Sequence, residues 1–98
     1  MSLPVVYRRT VGRDLASAFV YYEEQEFGLG EKFLVAVNSS FDAIEQHPQM
    51  FAQVHGEVRR AVVSRFPYAV YYRLGTDRIE VVAVFHCHRD PEGLMTRA

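Results

Sequence analysis

The sequence predicts an α+β fold ordered β-α-α-β-β-β, with a small, mainly antiparallel sheet packed on a helical hairpin. Three observations lead there. Two apolar stripes at helical spacing flank the break Gly28-Leu29-Gly30. Three strand-like runs follow Pro48, the last two joined by the short turn Gly75-Thr76-Asp77. Neither helix can hide its stripe alone, so something must cover both. With 98 residues, of which 49% are hydrophobic, residues 1–98 make a single domain with enough apolar material for a core.

Each element has its own signature. Pro4 to Arg9 alternates Val5 and Tyr7 against Val6 and Arg8, as a short strand does. Thr10 is placed to cap the helix that follows. Leu15, Ala18, Phe19 and Tyr22 form its apolar stripe, with Glu23, Glu24 and Glu26 on the opposite side. A second helix begins near Glu31 and carries Phe33, Leu34, Val37, Phe41 and Ile44. Pro48 disfavours helical backbone at His47 and closes it. A tight glycine turn between the helices makes them an antiparallel hairpin. Gln49 to Glu57 is a loop, followed by strands at Val58–Ser64, Phe66–Leu74 and Arg78–His86. In the last strand, alternation puts Ile79, Val81, Ala83 and Phe85 on one face and Val82, Val84 and His86 on the other.

Charge and cysteine usage narrow the class. The net charge is −1. Residues 1–50 hold four Lys/Arg against seven Asp/Glu, and residues 51–98 hold seven against five, so the halves carry −3 and +2. A nucleic-acid binder ordinarily shows a clear basic excess. No direct nucleic-acid partner is expected, and a protein partner suits the charge better. Cys87 is the only cysteine, which fits a reducing cytoplasm. No apolar run is long enough to span a bilayer, and no signal peptide is expected.

Four groups of side chains are candidates for chemistry. His86 and His88 share one side of a strand, but a zinc site needs three or four ligands and Cys87 points away. No metal or other cofactor is expected. Arg59, Arg60, Arg65, Arg73, Arg78 and Arg89 lie on or beside successive strands, where arginines can gather around a phosphate or carboxylate. Their plainer reading is solvated sheet edges paired with Glu57, Asp77, Glu80 and Asp90. Arg89 is the exception, because it leaves the last strand where the chain must turn. Phe66, Tyr68, Tyr71 and Tyr72 could stack bases, but aromatic strands more often pack sheets on helices. Gly28 and Gly30 form only a weak GxG and open no βαβ unit.

The element order and several motifs together resemble the RelE/ParE toxin superfamily, and within it the ParE, or plasmid stabilisation, branch. The match runs through Tyr21-Tyr22-Glu23, Gly28-Leu29-Gly30 into Phe33-Leu34, then Pro48, Phe51 and Arg59-Arg60. It continues through Arg65-Phe66-Pro67-Tyr68-Ala69-Val70-Tyr71-Tyr72 to His86-Cys87-His88-Arg89-Asp90-Pro91. The resemblance implies the toxin half of a type II toxin–antitoxin module, neutralised by a cognate antitoxin. ParE-like members poison DNA gyrase, whereas RelE-like members cut messenger RNA on the ribosome. A homodimer and a toxin–antitoxin heterotetramer are both compatible with it.

The residues divide between these branches. RelE-like nucleases carry basic residues on the second strand, an arginine at the start of the third, another after the last and a tyrosine in the tail. Here Arg59 fills a second-strand position, but Ala61, Tyr68 and Met95 occupy others, while Arg89 matches. Many members also carry a tryptophan soon after the Arg-Asp-Pro, where this chain has Gly93-Leu94-Met95. Cleavage at a 2′-OH needs an acid, a base and cationic stabilisation. Arg89, Arg59, His88 and Tyr72 are the candidates if the chain is a nuclease. The expected reading is a non-nuclease toxin acting on gyrase, with a RelE-type endoribonuclease or an inactive antitoxin-binding toxin as the alternatives. Arg89, His86, His88, Arg60 and Arg65 are the expected target contacts. Leu15, Phe19, Tyr22, Phe33 and Val37 are the expected antitoxin contacts.

Overall fold

The computed structural model describes residues 3–89 and residue 97. Its elements are β1 (Val5–Tyr7), α1 (Arg9–Gln25), α2 (Leu29–Gln46), β2 (Gln53–His55), β3 (Val58–Val62), β4 (Tyr68–Leu74) and β5 (Ile79–His86). The strands form one sheet in the order β1-β5-β4-β3-β2. The expected α+β architecture is present, with two refinements. β1 runs parallel to β5, so the sheet is mixed. The segment expected to be all loop contains β2, whose three residues are exposed and so carry no burial alternation to betray it.

The helical hairpin is built differently from the expectation at both starts. Thr10 does not cap α1. Arg8 is the capping residue, without a side-chain bond, and Thr10 lies in the first turn with its Oγ1 buried and unpartnered among the described residues. α2 begins at Leu29, before Glu31, because its cap comes from the preceding helix. The Glu23 carboxylate accepts the N–H of Gly28 at 2.9 Å and of Gly30 at 3.0 Å. It satisfies two orphan donors and places negative charge at the positive end of α2. Gly28 sits at φ 86°, where a side chain would be strained. A Cβ on Gly30 would lie 2.7 Å from the Phe19 ring and 2.9 Å from the Phe19 carbonyl oxygen. The two glycines therefore do separate jobs, one turning the chain and one letting the helices touch.

The sheet has two unlike faces. Ala61, Val63, Val70, Tyr72, Ile79, Val81 and Val84 pack with Val11, Ala18, Phe33, Val37 and Ile44 of the helices. Val58, Val82, Ala83 and Phe85 form a smaller cluster with Tyr71 on the other face. The predicted alternation of the last strand fails in its middle. Tyr71 pairs with Ala83 but Tyr72 pairs with Val81, which leaves Val82 as an extra residue in β5. Such a bulge re-aims the side chains beyond it. Ala83 and Phe85 leave the helix side, and Val84 and His86 take their place. β1 covers β5 only from Ile79 to Val81. Further along, the Asp14 carboxylate accepts the Val84 N–H at 3.0 Å and binds the Arg97 guanidinium through contacts of 2.6 and 2.9 Å.

Candidate functional site

Arg59 and Arg60 are neighbours on β3, so their side chains leave opposite faces of the sheet. Arg59 is tied down on the helix side through one guanidinium nitrogen. Its Nη1 donates to the Phe51 carbonyl at 2.6 Å and the Gln49 carbonyl at 3.2 Å. Tyr72, wholly buried, donates its hydroxyl to the Pro48 carbonyl at 2.6 Å. Burial pushes the Tyr72 phenol above its ordinary value, and the Arg59 guanidinium pulls against that rise. Both side chains tie the 48–51 loop to the sheet. Arg59 and Tyr72 thus lie on one face, whereas Arg89 leaves β5 on the other. The four nuclease candidates, Arg89, Arg59, His88 and Tyr72, are not all on one face.

The open face gathers a different set. Arg60 stands opposite Tyr71 in the β3–β4 register. Tyr71 lies 5.9 Å from Phe85, ring centre to ring centre. The Arg89 guanidinium carbon sits 3.8 Å from the centre of the Phe85 ring, a cation–π contact. With Cys87 and His55 these residues line a pocket of about 250 Å³. The Nε of Arg60 is buried and has no hydrogen-bond partner among the described residues. Arg73, across from Val58, has its Nε in the same condition. The sequence singled out Arg60 and Arg89, but Tyr71, Phe85 and Cys87 were not expected beside them. Only the bulge at Val82 brings Phe85 and Cys87 to this face, and it leaves no signal in the residue pattern.

The remaining expected target contacts lie elsewhere. His86 packs on Tyr68 at 5.3 Å, on the helix side, and His88 stacks on His86 at 5.4 Å. His86 Nδ1 accepts the His88 backbone N–H at 3.1 Å. Arg65, at φ 70°, occupies the turn between β3 and β4. It lines a second, larger groove of about 1070 Å³ with Tyr22, Lys32, Val35, Phe66 and Pro67. Asp90, Pro91 and Met95, which figured in the sequence argument, fall outside the described residues.

Two of the five expected antitoxin contacts present no surface. Phe33 and Val37 are buried against the sheet, because the stripe they belong to is the core-facing stripe of α2. Phe33 and Tyr22 join Phe66 and Tyr68 in one aromatic cluster with ring centres 5.0 to 6.0 Å apart. The aromatics of the middle strand are mostly packing, as expected. Leu15 and Phe19 are partly buried, and of the five only Tyr22 reaches the groove. Val35 is an exposed large hydrophobic residue of that groove.

Comparison with known proteins decides the family. A family model described as the ParE toxin of the type II toxin–antitoxin system parDE matches residues 5–91. The chain belongs to the ParE toxin family. Among solved structures, the chain is similar to one described as the chromosomal ParDE TA system from P. aeruginosa, with a TM-score of 0.77 and 15% identity. That match covers 86% of this chain and 95% of the other, and at this identity it shows the shared fold. No curated protein matches. No described helix is long and apolar enough to cross a membrane.

Proposed function

We propose that this ParE-family chain is a cytoplasmic toxin that uses the two sides of its sheet for two partners. The observation that carries this reading is the contrast between Arg59, spent on backbone carbonyls, and Arg60, held in a pocket with Arg89. The open face, with Arg60 and Arg89, is the surface that meets the cellular target. His86, His88 and Arg65 lie away from that pocket and are assigned to its surroundings or to the antitoxin side. The antitoxin segment lies in the groove between α2 and the β3–β4 turn. Tyr22 and Val35 are its contacts there, and Leu15 and Phe19 can meet only a partner that continues along α1.

On the resemblance to the ParE branch, the target is DNA gyrase. Adding the purified chain to gyrase supercoiling and to in vitro translation tests this. Blocked supercoiling with intact translation is the expected outcome. Ribosome-dependent cleavage of message with normal supercoiling would replace it with the RelE-type reading. If both reactions proceed and expression leaves cells growing normally, the chain is an inactive toxin that retains only antitoxin binding.

A further inference from the structure

We infer that the open-face pocket is a carboxylate-binding site, built by Arg60 and Arg89 against the aromatic walls Tyr71 and Phe85. No acidic side chain lines it among the described residues. Arg60 lines the pocket with its Nε sealed from solvent and unpaired among the described residues, so its guanidinium charge is poorly solvated and an oxyanion entering the pocket offsets that loss. The Arg89 guanidinium lies over the Phe85 ring, a contact that uses no N–H donor, so its fork of donors can serve a carboxylate. The walls lower the local dielectric and strengthen the attraction.

Size and charge select the ligand. A volume of about 250 Å³ is below the range of about 300–1,000 Å³ that encloses a drug-sized molecule, so the pocket suits one side-chain group. A nucleic-acid backbone would need several phosphates neutralised, and the chain carries a net −1. The occupant is therefore an Asp or Glu side chain of a protein. That this protein is the toxin's target rests on the function proposed above, whereas the pocket's chemistry does not.

Cys87, the only cysteine of the chain, lines the pocket and reports on it directly. The full chain is alkylated with iodoacetate and with iodoacetamide, and the rate ratio is compared with that of the chain unfolded in urea. The folded chain is expected to raise the ratio in favour of the anionic reagent at least about threefold, as a charged cleft concentrates opposite charge. The rise should vanish in R60Q/R89Q and persist in R78Q, which lies outside the pocket. R60K should keep much of the rise, because the charge remains. It should weaken protection by a short Glu-rich peptide, because the fork is lost. A ratio equal to that of the unfolded chain would overturn the site. Better protection of Cys87 by an oligonucleotide than by an equally charged Glu-rich peptide would overturn the carboxylate assignment. A chain that leaves gyrase untouched yet shows the raised ratio would lose the target reading and keep the pocket.

Discussion

Arg59 and Arg60 are the same residue type, one position apart on one strand, and they meet opposite fates. On the helix side, Arg59 and Tyr72 donate to three carbonyls of the 48–51 loop, those of Pro48, Gln49 and Phe51. On the open face, Arg60 keeps a buried Nε without a partner among the described residues and lines a small pocket with Arg89. A packed layer favours satisfied polar groups, since each unsatisfied one weakens the core. A binding surface tolerates them, because a ligand completes them. The two sides therefore differ in what a substitution should do: stability on one, function on the other.

The largest effect is expected in the packed layer. Phe33 is fully buried and touches the rings of Tyr22, Phe66 and Tyr68. Phe33→Ala should cost about 3–5 kcal/mol, read from urea denaturation, and leave little folded protein. The matched arginine pair gives the sharper contrast. Arg59→Ala strips the Gln49 and Phe51 carbonyls of a charged donor and should cost about 1–3 kcal/mol. Arg60→Ala should shift stability by less than about 1 kcal/mol while reducing growth inhibition. Equal losses of stability in both variants would erase the distinction between the faces.

A smaller effect comes from pH. Burial raises the phenols of Tyr22, Tyr68 and Tyr72, all on the helix side, above the ordinary value of 10.0. Their neutral forms are favoured in the folded chain, so their contribution is complete below the unfolded value and is lost as pH rises through the folded values. Thermal stability should fall above about pH 10. Tyr72→Phe should flatten that fall, at the expense of the bond to Pro48.

Much of this architecture was legible in the sequence, and the exceptions share a cause. The stripes of Leu15, Ala18, Phe19 and Tyr22 and of Phe33, Val37 and Ile44 followed from helical spacing, as did the break at Gly28. What the spacing of residues along one chain does not carry is how segments meet. Glu23 was read as a solvated acid, yet it caps α2 from another helix. Asp14 drew no attention, yet it closes the β5 edge with Arg97. The extra residue at Val82 depends on the register with β4, so Phe85 was assigned to the wrong face. The expectation that Phe33 and Val37 meet a partner fails because a helical stripe alone does not say whether it meets a sheet or a second protein.

The central claim is that one sheet separates two partners, and paired variants test it most directly. R60Q/R89Q changes the open face, and Val35→Glu changes an exposed residue of the helix-side groove. Growth inhibition and antitoxin affinity are measured for both, with folding checked by circular dichroism. R60Q/R89Q should lose growth inhibition and bind antitoxin normally, and Val35→Glu should bind antitoxin at least about tenfold more weakly and stay toxic. Loss of both properties in both folded variants would mean a single shared surface and would contradict it.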